Sequence, residues 1–208
     1  MSKAMLIALS CIIGYLLGSL SGGIIISKLA GGPDLHTVGS KSTGASNVQR
    51  TMGWKYGLMT FFFDAFKGLL SCFAAWLLTN SRFPEISHFV SMLAGLSCVI
   101  GHNWPVFFRF RGGKGVATTG AVMLYCFPVS ALICIAFTIA VIALFRYISV
   151  GSMLLVILFF GLSFVFGGGN ICIIVWAAVL MVLCLARHHA NIGRLIRGTE
   201  NKLGNKVR

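Results

Sequence analysis

Residues 116–145 read VATTGAVMLYCFPVSALICIAFTIAVIALF and contain no charged side chain. A helix of about 20 apolar residues crosses a bilayer, so this stretch can hold one long span or two short ones. Phe127-Pro128 interrupts it, and the residue before a proline avoids the helical conformation. The stretch alone is compatible with one long helix or with two short helices. The charges that flank it decide between these two interpretations.

Outward from this stretch, the chain is apolar almost throughout. Of its 208 residues, 57% are hydrophobic and 10% are charged, whereas soluble domains have about 45–50% and about 25%. We therefore predict an all-α, polytopic integral membrane protein that forms one domain over residues 1–208. Besides the opening stretch, its apolar segments lie at residues 4–30, 56–79, 88–108, 150–166 and 171–186.

The N-terminal segment, residues 4–30, has two interpretations. Lys3 followed by an apolar run is also typical of a signal peptide. Because the apolar residues continue through the whole segment, we predict a retained first transmembrane helix. Within it, Gly14, Gly18 and Gly22 recur every four residues, a spacing that lets helices pack closely.

Basic residues in the connecting segments decide the number of crossings, because cytoplasmic loops are rich in Lys and Arg. If residues 116–145 formed one helix, Arg146 and the basic tail after residue 186 would lie outside. Two helices that separate near Phe127-Pro128 place every basic connection on one side. We therefore predict seven transmembrane helices, some of them short or half-length, with the N-terminus outside and the C-terminus in the cytoplasm. The cations of this inner side are Lys41, Arg50, Lys55, Arg109, Arg111, Lys114, Arg146, Arg187, Arg194, Arg197, Lys202, Lys206 and Arg208.

The charge balance restricts the chemistry. Seventeen Lys and Arg stand against four acids, a net charge of +13. So few carboxylates argue against a carboxylate dyad and against a cage for a hard cation. The positive excess predicts anionic substrates, anionic lipid headgroups or both. The cysteines are scattered singly without a C-x-x-C motif, so we predict no metal site. Asp64 and Lys67, three residues apart, predict a structural ion pair, with a proton relay as the alternative.

Two glycine-rich polar segments lie on the predicted inner side. Residues 39–50 combine hydroxyls, an amide and cations, although an ordinary polar loop has the same composition. Residues 102–115 end in Gly112-Gly113-Lys114-Gly115, which is not a Walker A loop because Phe108 and Gly115 occupy positions that need Gly and Ser or Thr. Backbone N–H groups, the lysine and a helix that begins at Val116 predict a phosphate cradle there.

A third polar cluster is divided between two segments. Residues 146–152 carry Ser149 and Ser152, and residues 188–195 carry His188 and Asn191. A spacing of three residues places each pair on one face of a helix. A histidine at a membrane boundary is also often only an interfacial residue, and the amphipathic tail can lie on anionic lipid.

Together these motifs resemble the membrane-integral acyl-phosphate:glycerol-3-phosphate acyltransferases, the PlsY family of bacterial phospholipid synthesis. The resemblance extends along nearly the whole chain, from Gly18-Ser19 to Glu200. The family usually has Gly-Asn where this chain has Lys41-Ser42, and Thr where it has Ser46.

The resemblance implies that the protein transfers a fatty acyl group from acyl phosphate to the 1-hydroxyl of sn-glycerol 3-phosphate. The products are lysophosphatidic acid and phosphate, formed at a cytoplasm-facing site in the bacterial inner membrane. No cofactor, metal or nucleic acid is implied; the partners are acyl phosphate, glycerol 3-phosphate and membrane lipids. The favoured mechanism is substrate-assisted, with a donor phosphate oxygen taking the hydroxyl proton, and a general-base role of His188 is the alternative.

The resemblance also implies roles for individual residues. It assigns catalytic roles to Ser40, Arg50, Lys114, Ser152, His188 and Asn191. It assigns substrate binding to Gly39, Ser46, Asn47, His102, Gly112, Gly113, Gly115, Arg146, Ser149 and Arg194. It gives Glu200 a structural role and leaves protein partners undefined.

Two other functions fit the sequence less well. The common glycerolipid acyltransferases have an Asp five residues after a His, and no acid follows any histidine at that distance here. A transporter of organic phosphates would need paired interrupted halves and a midplane site, whereas the cationic motifs of this chain cluster on one predicted side.

Overall fold

The computed structural model describes residues 1–204 of the chain. All regular elements in this part are helices, which confirms the all-α prediction. The described residues form two compact units, Met1–Cys126 and a second that begins at Phe127. The single domain over 1–208 stays a prediction, and Lys206 and Arg208 of its basic tail lie outside the described residues.

Each unit consists of a short series of helices. The helices of the first unit are α1 (Lys3–Ser19), α2 (Gly22–Leu29), α3 (Ala45–Met52), α4 (Trp54–Asn80), α5 (Pro84–Asn103), a 3-10 helix (Val106–Phe108) and α6 (Val116–Cys126). The helices of the second unit are α7 (Pro128–Phe145), α8 (Ile148–Phe166), α9 (Ile171–Arg187) and α10 (His189–Ile196).

The opening stretch divides where the proline predicts. Helix α6 ends at Cys126 and α7 begins at Pro128, with Phe127 between them in a non-helical conformation (φ −140°, ψ 70°). Proline suits the first position of a helix, since its missing N–H has no helical partner there. The predicted split of residues 116–145 is confirmed.

In the described residues, five segments are long and apolar enough to cross a membrane. A sixth span is present if α9 and α10, which bend by 59° at His188, count as one. Helix α6, with 11 residues, is apolar but shorter. A crossing count of seven and the orientation of the termini therefore stay predictions.

The N-terminal segment is one candidate span but is not a continuous helix. Leu20 and Ser21 between α1 and α2 are extended, with ψ of 101° and 107°. The local sequence is Gly-Ser-Leu-Ser-Gly-Gly, whose glycines and serines have low helix propensity. The break leaves the backbone oxygens of Gly18 and Leu20 without N–H partners in the helix. The ammonium group of Lys67 donates a hydrogen bond to each of these oxygens.

The small residues of the N-terminal segment bring helices together as predicted, although not against one partner. A Cβ added at Gly14 would lie 2.3 Å from the oxygen of Ala94, and one at Gly18 would lie 2.1 Å from that of Cys98. These two glycines therefore pack α1 directly on α5. Gly22 lies on α2 instead and contacts Phe63 of α4.

Candidate active site

In the first unit, the polar segment before α3 is built around the amide of Asn47. This side chain is 1% exposed. Its oxygen accepts a hydrogen bond of 2.8 Å from the backbone N–H of Ser40, and its nitrogen donates to the oxygens of Ser42 at 2.8 Å and Val38 at 3.2 Å. The amide thereby fixes the loop that carries Ser40, so the predicted substrate contact of Asn47 coexists with a clear scaffolding role.

Gly39 is required by this arrangement. Its φ is +58°, and a Cβ there would lie 2.2 Å from the side-chain oxygen of Asn47. Helix α3 then begins at Ala45 and carries Arg50 in its last turn, half-buried. The hydroxyl oxygen of Ser46 is buried and lacks a hydrogen-bond partner in the described residues, so it is available to a substrate atom.

Lys41 has a left-handed backbone, with φ of 56°. That conformation costs a residue with a Cβ about 1–2 kcal/mol, which explains why glycine is the usual residue of the resembling family at this position. We expect Lys41→Gly to be more stable than Lys41→Ala by about 1 kcal/mol, because both remove the charge but only glycine removes the strain. Thermal unfolding in detergent measures the difference, and an alanine variant as stable as the glycine variant would contradict it.

The second glycine-rich segment packs tightly on the end of α5. An added Cβ at Gly112 would lie 2.1 Å from the backbone oxygen of His102, and one at Gly113 would lie 2.2 Å from Nε2 of the same residue. At Gly115, where φ is +75°, a Cβ would lie 2.8 Å from the side-chain oxygen of Asn103. Positions 112, 113 and 115 of the predicted turn therefore require glycine, because an added Cβ would collide with the end of α5.

This turn places Lys114, half-buried, directly before the first turn of α6. The helix begins at Val116, as predicted, and its N–H of Thr119 bonds the oxygen of Gly115 at 2.7 Å. The N–H groups in the first turn of a helix and the positive end of the helix dipole both favour an anion at such a point. An ammonium group beside a helix N-terminus forms a site whose chemistry suits phosphate.

Asn103 is a candidate that the sequence pattern did not single out. It is 0% exposed, and neither its side-chain nitrogen nor its oxygen has a hydrogen-bond partner in the described residues. Buried amides are normally satisfied, so an unsatisfied one beside the glycine turn is a candidate ligand contact. Asn103 is recognised as a candidate only from the structure, in which its side-chain oxygen lies next to Gly115.

In the second unit, the carboxylate of Glu200 gathers three predicted site residues. Its Oε1 accepts hydrogen bonds from Oγ of Ser149 at 2.8 Å and from Nδ2 of Asn191 at 2.7 Å. Its Oε2 accepts a bond of 2.7 Å from Nε of Arg194. Glu200 is 8% exposed. It therefore connects α8 and α10, and the structural role that the resemblance implies for it stays a prediction.

These contacts also set the protonation of Glu200. Burial raises the pKa of the Glu200 carboxyl, but the hydrogen bonds from Asn191, Arg194 and Ser149 outweigh burial and hold the pKa below its ordinary 4.5. A carboxylate with a lowered pKa stabilises the fold above pH 4.5, and this contribution is lost as the pH falls through the folded-state value.

We expect the stability of Glu200→Gln to differ from that of the parent in a pH-dependent way. At pH 7 the variant unfolds at a lower temperature, because the charged acceptor is gone. Below pH 4.5 the difference shrinks, because the parent carboxyl becomes protonated. Unfolding temperatures in detergent from pH 3 to pH 8 measure this, and a difference that is constant over that range would contradict it.

Arg146 lies at the end of α7 and has a left-handed backbone with φ of 62°. Its guanidinium donates to the oxygen of Leu203 at 2.9 Å, and its own backbone oxygen accepts from the N–H of Leu203. The predicted substrate-binding residue thus also ties the C-terminal segment to the connection between α7 and α8.

His188 stands at the bend between α9 and α10 and is 1% exposed. Its Nδ1 lies 2.8 Å from the backbone oxygen of Cys184. A carbonyl only accepts, so Nδ1 carries the hydrogen and Nε2 has an acceptor lone pair in the neutral ring. Ser152, also buried, donates to the oxygen of Ile148 at 2.8 Å.

The structure therefore describes the predicted site residues as two groups, one in each unit. The first-unit residues are Gly39, Ser40, Ser46, Asn47, Arg50, His102, Gly112, Gly113, Lys114 and Gly115. The second-unit residues are Arg146, Ser149, Ser152, His188, Asn191, Arg194 and Glu200. In residues 1–204, no three His, Cys, Asp or Glu side chains gather as metal ligands would. The individual roles of the predicted site residues stay predictions.

Known proteins resemble this chain over nearly its whole length. The profile of the family described as "Glycerol-3-phosphate acyltransferase" matches residues 8–198. The glycerol-3-phosphate acyltransferase of Clostridioides difficile (strain 630) is 40% identical over 202 residues, covering 94% of each chain. That of Burkholderia multivorans is 39% identical over 204 residues, covering 97% of this chain and 93% of the relative.

Solved structures give the same result. The crystal structure of PlsY (YgiH), an integral membrane glycerol 3-phosphate acyltransferase, in its glycerol 3-phosphate form superposes with a TM-score of 0.86 at 38% identity. It covers 95% of this chain and 96% of that one. The lysophosphatidic acid form of the same protein gives a TM-score of 0.83 at 37% identity, covering 95% of both chains.

Proposed function

Because this chain belongs to the glycerol-3-phosphate acyltransferase family and is an integral membrane acyltransferase, we propose its complete reaction. It transfers a fatty acyl group from acyl phosphate to the 1-hydroxyl of sn-glycerol 3-phosphate. The products are lysophosphatidic acid and inorganic phosphate, so this is the first acylation of bacterial phospholipid synthesis. The relatives named for this activity and the solved forms with glycerol 3-phosphate and lysophosphatidic acid support the acceptor and the product.

The observation that carries the proposal is the glycine turn 112–115 with Lys114 before the N-terminus of α6. Both proposed substrates carry phosphate, and this turn places an ammonium group beside the N-terminus of a helix, whose dipole favours such an anion. Arg50, at the end of α3, supplies a planar guanidinium that can bind a second phosphate with two parallel hydrogen bonds. Two cationic sites in one unit suit a reaction between two phosphorylated molecules.

The remaining predicted residues orient the substrates. Ser40 presents its hydroxyl from the loop that Asn47 fixes, and it donates to a phosphate oxygen of the donor. In the second unit, Nε2 of His188 accepts from a hydroxyl of glycerol 3-phosphate. Asn191, whose side chain Glu200 holds in place, assists in binding this acceptor.

The proton of the attacking hydroxyl goes to a phosphate oxygen of the donor. The hydroxyl oxygen bonds to the carbonyl carbon, the bond from that carbon to the bridging oxygen breaks, and protonated phosphate leaves. The two buried acids are poor bases for this step: Asp64 is paired with Lys67, and Glu200 already accepts three hydrogen bonds. Acyl phosphate is an activated donor, so no covalent enzyme intermediate is needed.

We further propose that the protein lies in the bacterial inner membrane with seven crossings, the N-terminus outside and the active site facing the cytoplasm. The basic connecting segments support this orientation, because Lys and Arg accumulate on the cytoplasmic side. Helix α6, at 11 residues, is then a short crossing that neighbouring helices must shelter from lipid.

The test is an assay of purified protein with glycerol 3-phosphate and one of three donors: palmitoyl phosphate, palmitoyl-CoA or palmitoyl acyl carrier protein. We expect lysophosphatidic acid from palmitoyl phosphate alone. Arg50→Ala is expected to lower kcat/KM by about 100-fold or more, because it removes a charged hydrogen-bond donor to phosphate. Arg82→Ala, which changes an exposed arginine outside the proposed site, is the matched control and stays at the parent rate. Product from palmitoyl-CoA at an equal rate would contradict the proposed donor.

A further inference from the structure

Asp64 and Lys67 form a buried ion pair on α4 that the proposed chemistry does not use. Nζ of Lys67 lies 2.9 Å from Oδ1 of Asp64, and the two side chains are 4% and 2% exposed. The predicted pair is thus confirmed. Burying two charges costs about as much free energy as their attraction returns, so a buried pair contributes little stability by itself. Its surroundings indicate what else it does.

The pair holds the break between α1 and α2. Nζ of Lys67 donates to the backbone oxygens of Gly18 at 2.9 Å and Leu20 at 2.8 Å, which the break leaves without helical partners. Oδ1 of Asp64 accepts from the N–H of Gly22, the first residue of α2, at 3.3 Å. Lys67 therefore binds backbone oxygens that precede α2, and Asp64 binds the N–H group with which α2 begins.

The same ammonium group also reaches α5. Nζ of Lys67 lies 3.0 Å from Nδ1 of His102, which is 5% exposed. Oδ1 of Asp64 lies 3.5 Å from the same nitrogen, so both members of the pair face Nδ1. These two contacts set the orientation of the ring in either tautomer.

His102 passes this constraint to the glycine turn. Its ring is so close to Gly113 that an added Cβ there would lie 2.2 Å from Nε2. Its backbone oxygen accepts a hydrogen bond of 3.1 Å from the N–H of Gly113. The ring of His102 thus packs against the residue that directly precedes Lys114, the cation proposed to bind phosphate.

The start of the same connecting segment is tied to the end of α1. The hydroxyl of Tyr15 donates to the oxygen of Trp104 at 2.9 Å, and the N–H of Val106 donates to Oγ of Ser19 at 3.3 Å. The position of α1 at its break and the position of residues 104–115 are therefore mechanically coupled.

We infer that Asp64 and Lys67 are positioning residues for the phosphate-binding turn. Lys67 orients the ring of His102, this ring supports Gly113, and Lys114 is held where it meets a substrate phosphate. Asp64 supplies the counter-charge that lets Lys67 stay buried. The inference rests on the proposed function for the role of the turn, but not for the geometry that holds it.

The test compares Asp64→Asn, Lys67→Met and the double variant that carries both changes. Lys67→Met alone leaves the Asp64 carboxylate buried without its cation, so we expect it to unfold at a clearly lower temperature. The double variant removes both charges and is expected to recover most of the parent unfolding temperature, since replacing a buried pair by neutral groups is often nearly neutral.

Two measurements then separate positioning from stability. In the double variant we expect the KM for glycerol 3-phosphate or palmitoyl phosphate to rise by about 10-fold, more than kcat falls, because the turn is misplaced before chemistry begins. We also expect trypsin to cleave after Arg109 and Arg111 about fivefold faster, as mass spectrometry of the fragments records, because a loosened segment opens more often. A stable double variant with parental KM and cleavage rate would overturn the inference.

The trypsin measurement needs no activity, so it distinguishes this inference from the proposed function. Failure of the parent protein to make lysophosphatidic acid would overturn the proposed function. The cleavage rates of the parent and the double variant would still test the positioning role. If the double variant does not fold, Asp64→Asn serves instead, because it removes the counter-charge that keeps Lys67 in contact with His102. The inference requires faster cleavage after Arg109 and Arg111 than in the parent, and cleavage at the parent rate overturns it.

The exposed pair of Lys3 and Glu85 provides a matched control. Its atoms lie 2.7 Å apart, but the side chains are 51% and 56% exposed. Surface pairs contribute little, so Lys3→Met is expected to change neither KM nor the cleavage rate. A similar rise in KM and in cleavage rate in this variant would show that the effects seen in the double variant come from removing any lysine.

Discussion

Replacing Gly112 by alanine is expected to lower kcat/KM for lysophosphatidic acid formation by about 100-fold or more. A Cβ at Gly112 would lie 2.1 Å from the backbone oxygen of His102, 2.6 Å from Cδ of Pro105 and 2.8 Å from the backbone oxygen of Asn103. None of these atoms belongs to a flexible side chain, so the turn itself must move. A shift of about 1 Å at Lys114 is enough to remove most of the benefit of a positioned charge.

The matched control is Gly120→Ala. Gly120 lies on α6, and a Cβ there would have no atom within 4 Å. Alanine is the better helix former by about 1 kcal/mol, so this variant is expected to be as active as the parent and slightly more stable. Initial rates at varied glycerol 3-phosphate give the comparison. Equal activity of Gly112→Ala and Gly120→Ala would show that the turn does not hold a catalytic cation.

Replacing His188 is expected to distinguish positioning from general-base catalysis. In the proposed reaction, Nε2 of His188 only accepts a hydrogen bond from glycerol 3-phosphate, so His188→Ala raises the KM of this substrate and lowers kcat/KM by about 100-fold. His188→Gln keeps a polar group near the position of Nε2 and is expected to recover at least about 10-fold of that loss.

A general base gives a different result. In that case both variants lose about 100-fold to 10,000-fold in kcat, while the binding of glycerol 3-phosphate stays near its parent value. Glutamine would then recover nothing, since it takes no proton. His189→Ala is the control, because His189 is the exposed neighbour at the start of α10 and is outside the proposed site.

Much of the fold follows from local sequence. The break at Phe127-Pro128 was predictable because proline restricts the residue before it and suits the first position of a helix. The helix that begins at Val116 follows from the glycine turn in front of it. Glycines and serines around Leu20 and Ser21 lower the helix propensity there. Sequence spacing does not reveal that Lys67, 47 residues after Leu20, binds the backbone oxygens of this break.

The candidate site likewise combines features that the sequence predicts with contacts that it does not predict. Glycines and cations mark the turn with Lys114 in the sequence itself, since only small residues allow the close approach that the structure contains. The hydrogen bonds of Asn47 to its own loop and the role of Glu200 as an acceptor for three side chains are contacts between residues that sequence spacing does not specify. The unsatisfied amide of Asn103 is visible only once packing is known.

The central claim is that the hydroxyl of glycerol 3-phosphate attacks the carbonyl carbon of acyl phosphate. Palmitoyl phosphate labelled with ¹⁸O in the oxygen that bridges carbon and phosphorus tests it directly, with mass spectrometry of both products. We expect lysophosphatidic acid and inorganic phosphate in equal amounts, with the label in the phosphate and none in the ester. Label in released palmitate, or phosphate released without lysophosphatidic acid, would contradict the claim.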